Sequence, residues 1–173
     1  IVPDPPVLVV PGLTSDVSCF GADDGSIDIT VSGLIPSIIL TTWGGPNNFS
    51  SILKDINNLP PGMYSVLVTD IDDCFITEDF EIKEPDSILP NPLITNVTCN
   101  GDFDGSVLLS ITGGTEPYNV NWGTANPLNL YADTYTYTIT DGNNCVLVAD
   151  VIISEPDPII PNPIITPVVC HGD

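Results

Sequence analysis

Cysteines are the residues with the clearest chemical potential in this chain. Cys19 and Cys99 open two copies of one motif, Cys170 opens a third copy, and Cys74 and Cys145 follow equivalent turns. Zinc would need close pairs of the CxxC type, which the sequence lacks. Regularly placed cysteines in small β-rich modules are instead typical of disulfides formed outside the cytosol. We therefore expect an extracellular, oxidised protein.

Two disulfide schemes fit the spacing. In the first, the bonds lie within the repeats, as Cys19–Cys74 and Cys99–Cys145, and the partner of Cys170 lies outside the given sequence. In the second, the bonds cross the joints as Cys74–Cys99 and Cys145–Cys170. We favour the first scheme, because an extended joint would hold Cys74 and Cys99 far apart whereas a disulfide needs Cα atoms within ~7 Å. Closing a loop of about 50 residues would also contribute about 4 kcal/mol to a small module.

Acidic turns lie beside these cysteines and suggest a calcium site. Under the first scheme, the turn after the first cysteine and the turn before the second would meet at one end of each repeat, and calcium takes six to eight oxygen ligands. The alternative, which we favour, is that Asp, Asn and Gly are simply good turn formers. No other cofactor is expected. The candidate calcium ligands are Asp23, Asp24, Asp70, Asp72, Asp73, Asp102, Asp104 and Asp141.

Composition and charge exclude several classes of function. The chain carries 23 acidic and two basic residues, for a net charge of −21. Such a charge opposes binding to nucleic acid or to anionic lipid. No apolar run reaches the ~18–20 residues of a membrane span, so no insertion of this segment is expected. The single histidine, His171, lies in the incomplete third repeat and no serine has an evident base, so we predict a protein without catalytic activity.

Hydrophobic alternation predicts β-strands throughout. Residues 27–32, 64–69, 107–112 and 135–140 alternate apolar and polar side chains, and turns rich in Asp, Asn and Gly separate strand pairs. Further strands are predicted at 38–43, 51–56, 118–122 and 128–130, and no segment has a helical period. The sequence therefore predicts an all-β chain of two tandem antiparallel β-sandwich modules, immunoglobulin-like and of six or seven strands each.

Two proline-rich joints follow the repeats. Residues 84–92 reappear almost unchanged as residues 155–163, and their prolines fix φ and remove backbone donors, which predicts an extended and stiff linker. We expect modules of roughly 70–80 residues with boundaries at 1–85 and 86–156, followed by a linker and a truncated third repeat at 157–173. The chain is expected to be a window from a longer tandem array, with neighbouring repeats as its partners.

Aromatic residues recur at matched positions in the two repeats. Trp43 and Trp122 precede Tyr64 and Tyr135 in the same order. Exposed aromatics could bind sugar rings, but their place in alternating strands favours core packing. A carbohydrate-binding module with surface aromatic residues is the alternative function, and measured exposure of the tryptophans distinguishes the two.

Together these landmarks resemble the SprB repeat. The second repeat carries the pattern best, with Cys99, Gly105-Ser106, Pro117-Tyr118, Trp122 and Thr140-Asp141, whereas in the first Leu34-Ile35-Pro36 replaces the approach to the tryptophan. The resemblance implies tandem immunoglobulin-like modules of secreted bacterial surface adhesins linked to gliding motility. It implies a non-catalytic stalk of an adhesin or filament, with other copies in a fibre or a surface polysaccharide as partners.

Overall fold

The computed structural model describes residues 8–10, 12–32, 40–70 and 75–164. Strands dominate these residues, and the only helical element among them is a short 3-10 turn at Pro46–Asn48. The strands are β1 (Leu8–Val10), β2 (Thr14–Ser15), β3 (Gly25–Ile27), β4 (Thr30–Ser32), β5 (Leu40–Gly44), β6 (Ser50–Ser51), β7 (Ile56–Leu59), β8 (Gly62–Thr69), β9 (Phe75–Ile82), β10 (Pro92–Thr95), β11 (Ser106–Leu109), β12 (Asn119–Asn121), β13 (Asp133–Thr140) and β14 (Val146–Ile153).

The chain forms two compact units. The first comprises Ile1–Pro90, Ile111–Val120 and Ile139–Leu147, and the second comprises Asn91–Ser110, Asn121–Thr138 and Val148–Asp173. The first unit thus includes two short segments from the second sequence repeat. The module boundaries at 1–85, 86–156 and 157–173 stay a prediction.

A β-sandwich makes up most of the first unit. One sheet has the strand order β2-β3-β7, the other has the order β6-β5-β8-β9, and β1 pairs with β4. Successive side chains of a strand point to opposite faces, so Tyr64, Val66 and Val68 of β8 all enter the core. The buried cluster between the sheets is Val17, Ile27, Ile29, Trp43, Ile56, Leu59, Tyr64, Val66, Val68, Phe80 and Ile82.

The second unit is also built from antiparallel strands that bury apolar side chains. Strand β10 pairs antiparallel with β11, from Pro92↔Leu109 to Thr95↔Ser106, and most residues of the sheet of order β12-β13-β14 also belong to this unit. Leu130 forms a bridge to Gly105. The buried apolar residues of this unit are Val97, Val107, Leu130, Tyr137, Val151 and Ile153. The predicted all-β class of antiparallel sandwich modules is confirmed.

Strand positions differ from the expectations in several places. The strand predicted at 51–56 is a turn between β6, which ends at Ser51, and β7, which begins at Ile56, and the strand predicted at 107–112 ends at Leu109. The alternating run at 27–32 is two strands, because Ile27 pairs with β7 while Thr30 pairs with β1. Asp28 and Ile29 lie between them, and the Ile29 N–H bonds the Asp55 carboxylate rather than a strand. Residues 128–130 form a single bridge instead of a strand. Strand β10 begins at Pro92, within the segment predicted to be linker. Proline is tolerated there because it occupies the first position of the strand.

Candidate functional site: a disulfide-linked joint

Cys19 lies in a turn whose conformation its neighbours fix. Gly21 has φ +74, a left-handed conformation that glycine adopts without cost, and the Ala22 N–H donates to the Cys19 carbonyl at 3.0 Å. The Asp24 carboxylate accepts a hydrogen bond of 2.9 Å from the Ser18 N–H. Glu84, at the start of the joint, accepts from the Gly21 N–H at 3.1 Å. The turn and the beginning of the joint are therefore tied together.

Cys145 lies in a second turn, organised by Asp141. This carboxylate is 5% exposed and accepts backbone N–H bonds from Thr115 (2.9 Å), Asn143 (2.9 Å) and Cys145 (2.8 Å). Burial alone would raise the pKa of Asp141, but these three hydrogen bonds outweigh it and hold the pKa below its usual value. The ionised side chain thus fixes the position of the cysteine.

A disulfide joins the two turns. Cys19 and Cys145 are bonded at an S–S distance of 2.06 Å, with their Cα atoms 5.6 Å apart. The Asn143 side-chain amide adds a hydrogen bond of 3.2 Å to the Ser18 carbonyl. The bond links the first cysteine of one sequence repeat to the second cysteine of the next, across 126 residues.

This bond corrects both predicted schemes. Cys19 is not bonded to Cys74 nor Cys99 to Cys145, and the cross-joint pairs are equally wrong because Cys145 is occupied and Cys99 is an exposed free thiol. Cys74 and Cys170 lie outside the described residues. Both schemes paired only the nearest equivalent cysteines. The actual bond connects two cysteines that lie on either side of the joint at residues 84–92. It forms because the chain folds the turn at Asp141 back against the turn at Cys19.

The joint itself is held by backbone hydrogen bonds. The Gly114 N–H donates to the Asp86 carbonyl at 2.7 Å, and Leu89 exchanges two bonds with Thr112 at 2.8 and 2.9 Å. Gly113 has φ +70, and a Cβ there would lie 2.0 Å from the Ser87 carbonyl oxygen. Glycine is therefore required where the joint crosses this hairpin.

A cavity of about 190 Å³ opens beside the disulfide. Phe20, Ile88, Gly114 and Leu147 are among its lining residues, together with both cysteines. Ligand pockets for small molecules are typically ~300–1,000 Å³. The cavity is therefore a gap in packing rather than a site for a small molecule.

The candidate calcium ligands are dispersed or already engaged. Asp24 and Asp141 bond backbone N–H groups, and Asp104 bonds both the Thr98 N–H (3.0 Å) and its hydroxyl (2.5 Å), which lowers the pKa of Asp104. Asp23 and Asp102 are exposed, Asp70 is half-buried, and Asp72 and Asp73 lie outside the described residues. In the described part of the chain, no three His, Cys, Asp or Glu side chains form a group that could hold a metal. Calcium binding stays a prediction, and a change of melting temperature with millimolar calcium or chelator tests it.

The paired aromatics pack rather than line a binding face. Trp43 is 1% exposed, and its indole N–H donates to the Leu53 carbonyl at 2.9 Å. Tyr64 is fully buried. Trp122 is half-buried against Tyr137, with ring centroids 4.6 Å apart, and Tyr135 is half-buried as well. A sugar site at Trp43 is therefore excluded.

Membrane-spanning helices are not found in the described part of the chain. Among those residues, none belongs to a helix with the length and hydrophobicity needed to cross a bilayer.

Comparison with known proteins supports the resemblance to the SprB repeat. The family model described as SprB repeat matches residues 13–38 and 93–126. No curated protein sequence matches the chain. A structure of three N-terminal domains of the bacteriophage RB49 Highly Immunogenic Outer Capsid protein (Hoc) aligns with 16% identity and a TM-score of 0.39, over 86% of this chain. The chain spans 57% of the length of that solved chain.

The two family matches fall at equivalent places in the two sequence repeats. Each contains one copy of the cysteine-opened motif, at Cys19 and at Cys99. The predicted resemblance is confirmed: both repeats carry a segment that matches the SprB repeat.

Proposed function

We propose that the chain is a non-catalytic stalk segment of a secreted bacterial cell-surface adhesin or filament, whose repeats are covalently tied to one another. The SprB repeat matches support a surface-protein repeat. The disulfide supports an oxidising, extracellular location. A net charge of −21 favours solubility and repels neighbouring chains, as suits a crowded surface.

The Cys19–Cys145 bond is the observation that carries this proposal. Tension applied at the two ends of the chain reaches Cys19, crosses the disulfide and leaves from Cys145. Residues 20–144 are bypassed, so strands β3 to β13 do not have to resist the load, whereas β1, β2 and β14 lie outside the loop and carry it. A covalent bypass of this kind is useful to a stalk and has no role in catalysis.

Single-molecule force extension tests the mechanical role. We expect the oxidised chain to extend less than a Cys19→Ser, Cys145→Ser double variant by roughly 400–450 Å, because 126 residues are hidden and an extended chain spans ~3.3–3.6 Å per residue. Equal extension of the two proteins would reject the bypass. Antibody labelling of intact source cells tests location, and labelling only after permeabilisation would reject a surface stalk.

A carbohydrate-binding role is the second candidate, at residues other than the two tryptophans. Phe103 and Tyr131 are 57% and 58% exposed, with ring centroids 5.6 Å apart, and so present aromatic faces to solvent. A glycan array probed with the chain and with a Phe103→Ala, Tyr131→Ala variant would show it. Phe75→Ala, at a residue 72% exposed in β9, is the matched control. Binding lost only in the double variant would favour this role.

A further inference from the structure

Cys99 lies in the same kind of turn as Cys19 but has no partner cysteine. The Asp102 N–H donates to the Cys99 carbonyl at 3.1 Å, as Ala22 does to Cys19 at 3.0 Å. The Gly101 N–H donates to the Glu155 carboxylate at 2.7 Å, as Gly21 does to Glu84. The local fold that presents Cys19 for its disulfide is therefore built a second time, around a free and exposed thiol.

The two proline-rich joints, at residues 84–92 beside Cys19 and at residues 155–163 beside Cys99, differ in how far their side chains are buried. Pro85, Ser87 and Ile88 of the first joint are half-buried, whereas their counterparts Pro156, Pro158 and Ile159 are exposed, Ile159 by 97%. Leu89, which pairs with Thr112, is itself 52% exposed, and its counterpart Ile160 is 81% exposed. The contrast therefore rests on Pro85 and Ile88, which are partly covered in the first joint while their counterparts face solvent in the second.

The residues that pack over the first joint can be named. Gly113 and Gly114 pack against Ser87 and Ile88, and the turn at Asp141 brings Cys145 to Cys19. Among the described residues, none covers Ile159 or bonds Cys99 in this way.

We propose that Cys99 and the exposed joint at residues 156–161 dock a following repeat and form a disulfide with its counterpart of Cys145. The occupant is the end of that repeat equivalent to residues 111–120 and 139–147. The inference rests on the tandem arrangement in the proposed function.

The chemistry of the step is ordinary thiol–disulfide exchange. Two thiols lose two protons and two electrons as the S–S bond forms, and a disulfide oxidant accepts them and becomes two thiols. Oxidised glutathione can serve as that oxidant in the test.

The test adds a third repeat to the full chain. The last four residues, Cys170-His171-Gly172-Asp173, align with residues 99–102 and differ from them only at His171, so a copy of residues 103–164 placed after Asp173 completes the repeat. A Val146→Ile change in the copy distinguishes its peptide by mass from the original. After oxidation with glutathione disulfide, non-reducing peptide mapping should show Cys99 linked to the added copy of Cys145, with Cys19–Cys145 retained.

A matched control blocks docking without touching a cysteine. Gly113→Ala in the added copy alone should leave Cys19–Cys145 intact and return Cys99 to full alkylation. Cys99 that stays free, or that links to Cys74 or Cys170, would overturn the inference, as would absence of the Cys19–Cys145 bond from which it is drawn. None of these outcomes depends on where the cell displays the protein, so a failed docking test and a failed surface-labelling test are distinguishable.

Discussion

At the scale of single residues, Asp141 shows how an acidic turn contributes to a covalent joint. Its sequence context predicts a candidate calcium ligand, because carboxylates in turns suit both roles. In the structure its two oxygens accept three backbone N–H bonds, two of them within its own turn. A buried carboxylate with this many backbone donors orders the loop by itself.

Asp141→Asn should destabilise the protein. One side-chain oxygen would be replaced by an amide that faces an N–H donor, and loss of hydrogen bonds to a charged group costs roughly 1–3 kcal/mol. Asp102→Asn, at an exposed carboxylate, is the control. Urea unfolding at neutral pH measures the effect, and equal midpoints for the two variants would contradict it.

The same carboxylate predicts a pH dependence. Its pKa is lowered on folding, so its contribution is complete above the unfolded value of about 3.9 and is lost as pH falls through the folded pKa. The melting temperature of the original chain should therefore fall more steeply below about pH 4 than that of Asp141→Asn. Parallel curves in that window would show that Asp141 does not titrate in this way.

Gly113 offers a second test at this scale. Gly113→Ala forces a side chain to φ +70 and puts its Cβ 2.0 Å from the Ser87 carbonyl oxygen. Gly123→Ala is the matched control, with φ +63 and open space around the Cβ. The control should lose roughly 1–2 kcal/mol from backbone strain alone, and Gly113→Ala should lose more because the joint must move. Equal losses would mean that the joint does not press on this hairpin.

At the scale of elements, strand alternation is the strongest signal in the sequence. The patterns at 64–69 and 135–140 correctly predict the long strands β8 and β13, because a half-buried strand must alternate. The sequence pattern does not reveal β10, because the strand begins with Pro92. Proline lowers the strand signal of a segment, although it is tolerated at the first position of an edge strand. The break after Ile27 cannot be read from the pattern either, because it depends on the Asp55 side chain from a distant loop.

The two tryptophans test the core assignment. Trp43→Ala should cost about 3–5 kcal/mol, because it empties a site that is 1% exposed and removes the bond to Leu53. Trp122→Ala should cost less, since its half-buried ring keeps solvent contact. Thermal unfolding followed by near-ultraviolet circular dichroism compares the two variants. A larger loss at Trp122 would contradict this difference in packing.

At the scale of the whole molecule, the disulfide is the feature that sequence could not supply. Spacing places the cysteines at equivalent positions, but it gives equal weight to any pairing that repeats regularly. Which cysteines meet depends on how the Asp141 turn and the joint at residues 84–90 fold together, through contacts such as Gly114 to Asp86. The SprB-like motif predicts the type of module, whereas the path of the joint depends on contacts between residues that are distant in the sequence.

The energetic value of the joint can be measured on the intact chain. Closing a loop of 126 residues restricts the unfolded chain, and the chain-entropy model assigns such a closure up to about 5 kcal/mol. The Cys19→Ser, Cys145→Ser variant should therefore unfold at lower denaturant than the oxidised chain, and a reducing agent should move the original chain to the same midpoint. Cys99→Ser is the control, because its thiol is unbonded and its loss should leave the midpoint unchanged. If reduction left the original chain unmoved, the bond would not constrain the unfolded state, and the load-bypass argument for a stalk would lose its basis.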